Sequence, residues 1–138
     1  MKLVGIDIAK YEHAAFIMEA STGESLCDPF FFKNNKEGFK KLYTELNKYS
    51  KNELLIGMED TGHYNFAIES SLLAEGYKVA LINPITTKSL RKASLKSVKS
   101  DKEDALLITK ALLDKAYYRI ISIQDEKLKE AKELTRYR

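Results

Sequence analysis

The chain has 138 residues, 44% hydrophobic and 31% charged, with 23 Lys+Arg against 20 Asp+Glu and a net charge of +3. That length suits one domain able to bury roughly two-thirds of its unfolded surface. With 6 Gly, 2 Pro and 1 Cys, the composition excludes a collagen-like or low-complexity polymer, an internal disulfide framework and an all-cysteine zinc site. The charge sum is too even to name a partner, so its distribution has to be followed.

Met1-Lys2 leads directly into Leu3-Val4-Gly5-Ile6-Asp7-Ile8, an apolar run with an acid inside it and no small-residue cleavage site. No targeting peptide is expected there. No stretch approaches the ~18 apolar residues of a membrane helix, so a soluble, cytoplasmic protein without a membrane partner is expected. Residues 2–8 read as a strand and residues 13–19 as a second. Ser21-Thr22-Gly23-Glu24 is a hairpin turn, and a third strand covers about 25–33, ending in Phe30-Phe31-Phe32. These three make an antiparallel meander. Asn34-Asn35 offers a cap for a helix over about 35–50, in which Phe39, Leu42, Tyr43, Leu46 and Tyr49 fall on one face. Residues 54–58 are a buried strand. A second helix over about 63–75 stops at Gly76, with Tyr64 packed at its start, and 78–82 form a fifth strand ended by Asn83-Pro84. A helix follows from Asp101 to about Ala116, and a last helical segment starts near Asp125. The order β-β-β-α-β-α-β-α predicts an α/β fold, a mixed sheet flanked by helices.

The carboxylates stand out. Asp7 lies inside the first strand, and its pleat-face neighbours Gly5 and Ala9 are small. An ionised Asp there is costly to bury unless it is paired or holds a metal; otherwise it caps a turn at the strand end. Glu59 ends the fourth strand in the same manner, with Leu55 and Gly57 as face-mates. Parallel pairing would set these two strand ends side by side, where such sheets bind ligands. Asp60 points the other way and is expected to cap the turn at Thr61-Gly62. Asp101 and Asp104 are spaced i, i+3 at a helix start, where acids also simply suit the helix dipole. Continuing their face gives Ala105, Ile108, Ala111 and Leu112, whereas Glu103 lines up with Lys110 and Asp114. Asp101 and Asp104 therefore head the buried side.

Three segments can thus converge Asp7, Glu59, Asp101 and Asp104. Such a cluster repels itself unless cations hold it. Its hard oxygen donors suit Mg²⁺ or Mn²⁺, and two ions ~3.5–4 Å apart would clamp both oxygens of a phosphoryl displacement. Just before the last pair, Lys88, Arg91, Lys92, Lys96 and Lys99 occur with no acid between Asn83 and Ser100. Alone, such a run is a solvated loop; beside the acids, it suits the phosphates of a nucleic acid. Cys27 reads as a small, buried or half-buried strand residue. His13 and His63 do not form a zinc pair, though His63 lies near Glu59. Tyr117-Tyr118 and the three phenylalanines read as core or interface.

Gly5-Ile6-Asp7-Ile8-Ala9-Lys10, Glu59-Asp60-Thr61-Gly62-His63-Tyr64 and Lys99-Ser100-Asp101-Lys102-Glu103-Asp104-Ala105, in that order, resemble the DEDD transposases of insertion sequences, the family that includes the Piv DNA invertase. The resemblance spans essentially the whole chain and includes Asn83-Pro84. It implies a ribonuclease H-like (RuvC-like) catalytic domain over 1–120. It also implies Asp7, Glu59, Asp101 and Asp104 as the metal tetrad, DNA strand cleavage and exchange as the activity, and DNA and a structured guide RNA as partners. A full-length member would be a homo-oligomer, a dimer or higher. Members continue into a coiled coil, which residues 121–138 would begin, and into a C-terminal domain bearing a serine nucleophile. The chain is therefore expected to be an N-terminal fragment, possessing no nucleophilic serine of its own and inactive alone.

Three rivals predict different things. A free-standing metal-dependent nuclease or Holliday-junction resolvase would use the same acids with activated water. An actin-like or sugar-kinase domain would share the Gly5-Ile6-Asp7-Ile8 strand but wants a Gly-Thr or Gly-Ser hairpin after it, where this chain has Ala9-Lys10. A non-catalytic oligomerisation or RNA-binding module would bind no divalent cation.

Overall fold

A computed structural model describes residues 1–93 and 101–123. The expected meander is present as β1 (Lys2–Asp7), β2 (Glu12–Glu19) and β3 (Phe30–Lys33), all antiparallel neighbours. β3 is shorter than its sequence suggested. Ser25 makes an isolated bridge to Met18, and Pro29, which has no N–H for a ladder, separates it from Phe30. Cys27 accordingly lies outside a regular strand, half-buried against the core.

Helix α1 (Lys36–Leu46) starts at Asn35, whose side chain accepts from the Gly38 N–H at 2.8 Å, and buries Phe39, Leu42 and Leu46. It ends before residue 50, and a 3-10 turn (Lys51–Glu53) leads into β4 (Leu54–Glu59). Helix α2 (Phe66–Ala74) begins later than residue 63 because the intervening turn is closed by side chains. The Thr61 hydroxyl donates to Asn65 Oδ1 at 2.9 Å, and the buried Asn65 amide donates to Glu69 Oε2 at 2.9 Å. Thr61, accepting from the His63 N–H at 3.5 Å, occupies the capping role expected of Asp60. Tyr64 is 43% exposed rather than packed; Asn65 takes the interior place.

β5 (Lys78–Ile82) is followed by a helix not expected from the sequence, α3 (Pro84–Ala93). Asn83 ends the strand and also starts this helix, its Oδ1 accepting from the Ile85 N–H at 2.9 Å, with Pro84 at the first helical position. Helix α4 (Asp101–Ala111) stops short of residue 116, and a 3-10 turn (Lys115–Tyr117) enters a further unexpected strand, β6 (Tyr118–Ile121). The anticipated segment near Asp125 lies outside the described residues.

The sheet order is β3-β2-β1-β4-β5-β6, with β1, β4 and β5 parallel and the rest antiparallel. One face carries Val4, Ile6, Ile56, Met58 and Val79 against Phe39, Leu42, Ile68 and Leu72 of α1 and α2. The other carries Leu3, Phe16, Leu55 and Ile82 against Ala105 and Ile108 of α4 and Leu112 just after it, joined by Leu90 of α3. Burial on both faces explains why the inner strands are continuous apolar runs. Each fully buried aliphatic chain contributes about 1.5–3 kcal/mol.

Candidate functional site

β1 and β4 run in register up to Ile6 beside Met58, so the next residues, Asp7 and Glu59, close the two strands side by side. Pleat alternation puts Asp7 on the face of Leu3 and Gly5, and Glu59 on that of Leu55 and Gly57, the face covered by α4. Adjacent strands stand about 4.8 Å apart. Both carboxylates are half-buried at the C-terminal edge of the sheet.

Gly5 and Gly57 are cross-strand partners. A Cβ on Gly5 would collide with the Thr109 hydroxyl and stand 2.6 Å from the Ala105 carbonyl oxygen and the Thr109 nitrogen. The missing side chains bring α4 down onto the sheet. The expected apolar face of α4 is realised: Ala105, Ile108, Ala111 and Leu112 are buried, and Lys110 and Asp114 are exposed. Thr109, also fully buried, satisfies its hydroxyl on the Ala105 carbonyl at 2.6 Å.

Asp104 stands one turn before Ile108. Its Oδ1 accepts from Arg91 Nε at 2.9 Å, an ion pair joining α4 to α3. The Asp101 side chain lies outside the described residues. Among the described residues, no three His, Cys, Asp or Glu side chains form a group able to hold a metal ion. The structure thus brings together Asp7 and Glu59, and Asp104 with Arg91, without gathering the four acids within its described part. Lys88 and Lys92 are exposed on α3, whose inner side is Thr87 and Leu90; Lys96 and Lys99 lie outside the described residues.

Two buried groups stand behind the acids; the sequence assigns no such part to His13, expected only not to be a zinc ligand, nor to Asn65. His13 is 0% exposed, packs edge-on to Phe32 at 5.3 Å, and its Nδ1 accepts from the Ala9 N–H at 3.1 Å. It holds the turn that follows Asp7. Burial pushes its pKa down, and the neighbouring Asn34 side chain offsets part of that. Behind Glu59, the Thr61–Asn65–Glu69 chain plays the corresponding part. The only available sequence signal for His13 was its place in β2, alternating with inward Ala15 and Ile17. His63 is exposed, its ring 6.2 Å from that of Tyr64.

The carboxylate oxygens of Asp7 and Glu59 are the donors Mg²⁺ or Mn²⁺ prefers, and like-charged neighbours at one edge favour a cation. The donor chemistry therefore fits a divalent ion.

A family model described as Transposase, of the DEDD IS110 type, matches residues 4–138. The pilin gene-inverting proteins of Moraxella bovis and Moraxella lacunata are each 28% identical over 109 residues, 78% of this chain and 33% of theirs. The chain thus spans about a third of the length of these curated relatives. Two solved structures of RuvC from Thermus thermophilus share the fold. One, in complex with a Holliday junction substrate, has a TM-score of 0.55 at 14% identity and covers 79% of this chain and 90% of its own. The other has a TM-score of 0.59 at 11% identity, covering 88% and 100%. The fold is therefore ribonuclease H-like. With the family match extending from Val4 to the last residue, the chain belongs to the DEDD transposase family.

Proposed function

We propose that this chain is the catalytic domain of a DNA transposase or site-specific recombinase. In this proposal Asp7, Glu59, Asp101 and Asp104 hold two divalent ions, Mg²⁺ or Mn²⁺, for DNA strand cleavage and exchange. The observation that carries it is the juxtaposition of Asp7 and Glu59 at the ends of two parallel strands in a chain of this family. When bound, the ions would polarise a phosphoryl oxygen and activate the attacking group.

The chain's own residues supply position and charge. Gly5 and Gly57 let α4 lie close, so that Asp104 is carried on a rigid element rather than a loop. Arg91 neutralises Asp104 at 2.9 Å until an ion binds, and would yield that oxygen to it. Lys88 and Lys92, outward on α3, neutralise backbone phosphates next to the acidic edge. A structured guide RNA and a homo-oligomeric full-length assembly belong to the same proposal.

Thermal unfolding with Mn²⁺ tests it. A ligand at a hundred times its Kd adds about 2.7 kcal/mol. For a domain of this size that raises Tm by roughly 10 °C. Wild type is expected to show such a rise and Asp7→Asn to lose most of it. An equal rise in both would remove Asp7 from the site. A junction resolvase is the second reading, favoured by the likeness to a RuvC bound to a Holliday junction. Four-way junctions cut without strand transfer by the full-length protein would select it.

A further inference from the structure

At the same edge of the sheet, a cleft of about 370 Å³ lies between the end of β5, the start of α3 and the turn entering β6. Asp60, Asn83, Thr86 and Arg119 give it a polar wall, and Tyr117 and Tyr118 an aromatic one. From the sequence, both tyrosines are expected in the core or at an interface. Tyr118 indeed packs on the second core, but Tyr117 is 38% exposed. Its 3-10 turn is fixed by Asp114, whose side chain accepts from the Ala116 N–H at 2.9 Å.

The register locates the cleft. Glu59 pairs with Ile82, and Ile82 with Tyr118, so these three stand in one row across the sheet. The Asp60 N–H, donating to the Ile82 carbonyl at 3.0 Å, ties the next residue to the same row. Two strand spacings put the Tyr118 backbone roughly 10 Å from that of Glu59. That is about three steps of 3.4 Å along one nucleic-acid strand.

The lining suits one nucleotide. An exposed tyrosine ring offers a stacking face that accepts any base. Arg119, at the exposed rim, offers a fork for a phosphate. Asn83 has its Oδ1 engaged with Ile85, which leaves its amide as the donor it can offer a ligand, while the Asp60 carboxylate could accept from a base N–H. The volume is at the small end of ligand pockets, of the order of a single nucleotide.

We propose that this cleft holds one unpaired nucleotide, within about three positions of the phosphate processed at Asp7 and Glu59. The location relative to the scissile phosphate rests on the function proposed above; the binding chemistry does not. The strand that supplies the nucleotide is the DNA substrate or a guide RNA.

The test uses the full 138-residue chain and 2-aminopurine tetranucleotides, deoxy and ribo, beside the same label in a paired duplex. Stacking on Tyr117 is expected to quench the single-strand probe. Tyr117→Ala is expected to lower the affinity for the tetranucleotide relative to the duplex on the order of tenfold, and Tyr117→Phe to restore it. Arg119→Gln, at an exposed position, is expected to weaken tetranucleotide binding and flatten its salt dependence. Preference for the deoxy or the ribo probe identifies the strand, and either upholds the cleft. A wild type that does not prefer the tetranucleotide, or Tyr117→Ala and Arg119→Gln proteins that melt and bind as wild type, overturn it. The same samples titrated with Mn²⁺ separate the two proposals. Tetranucleotide binding without any Mn²⁺ stabilisation leaves the cleft and removes the metal site, and the converse does the reverse.

Discussion

Gly5 and Gly57 face each other across β1 and β4, yet Gly5 meets α4 itself and Gly57 the residue just after it. A Cβ on Gly5 would press on backbone, the Ala105 carbonyl and the Thr109 nitrogen, at 2.6 Å. On Gly57 it would meet the Leu112 side-chain carbons at 2.5–2.9 Å, which can turn away. Overpacking typically costs about 1–3 kcal/mol. Gly5→Ala is therefore expected at or beyond the top of that range and Gly57→Ala near its bottom, measured from urea midpoints. Equal losses would mean that α4 yields as a rigid body. Because Gly5→Ala pushes on the turn after Asp104, it is also expected to weaken Mn²⁺ stabilisation. The Arg91–Asp104 pair is a separate case. Its side chains are 31% and 20% exposed, so solvent screening holds its contribution to roughly 1 kcal/mol or less. In the proposed site the guanidinium and the metal compete for the same carboxylate. Arg91→Gln is thus expected to raise the apparent Mn²⁺ affinity severalfold while barely changing the unfolding midpoint. A fall in affinity would instead make Arg91 the group that orients Asp104.

The turn between β1 and β2 is held by a buried imidazole rather than by turn residues. His13 accepts from the Ala9 N–H, and that bond requires a neutral Nδ1. Burial lowers its folded pKa below the ordinary 6.5. Above pH 6.5 the ring is neutral in both states and its contribution is fully present. Below that the unfolded chain takes up a proton that the folded one resists, so stability falls with pH until the folded pKa is passed. The urea midpoint of wild type is expected to drop between pH 7 and pH 5, and that of His13→Gln, which keeps an acceptor without a titrating ring, to drop less. Parallel profiles would remove His13 as the cause. The elements around this turn were legible because β1, β4 and β5 carry apolar runs, and α1 and α4 the spacing of a buried stripe. α3 was not: its inner side is Thr87 and Leu90, beside Thr86, Ser89 and three cations, too thin a stripe to read. Asn83-Pro84 nevertheless held the cap and first position of a helix. β6 buries only Ile121, and its pairing with β5 is settled by the sheet edge rather than by its own pattern. Of the site, Asp7 and Glu59 were legible as acids ending apolar strands. The Arg91–Asp104 pair was not, because it spans 13 positions and two helices whose packing no local spacing reports.

At the scale of the whole molecule, the helices cover both faces of the sheet, and the C-terminal ends of β1, β4 and β5 remain the edge where polar groups gather. Asp7 and Glu59 end two of those strands, and α3 leaves from the third with Lys88 and Lys92 turned outward. A net charge of +3 therefore conceals a local separation of sign, acids along one edge and bases on the adjoining helix. If that helix is the track for a nucleic-acid backbone, each phosphate contact contributes about 0.9 to the slope of log K against log salt on duplex DNA. The Lys88→Ala/Lys92→Ala double variant is expected to flatten that slope by about 2 between 50 and 200 mM salt. Arg91→Ala is expected to change it by clearly less than one contact, because the guanidinium is already engaged by Asp104. Titrations of a labelled duplex and a four-way junction measure both. A slope unchanged in the double variant would move the DNA track off α3, and an equal effect from Arg91 would mean that the ion pair opens when DNA binds.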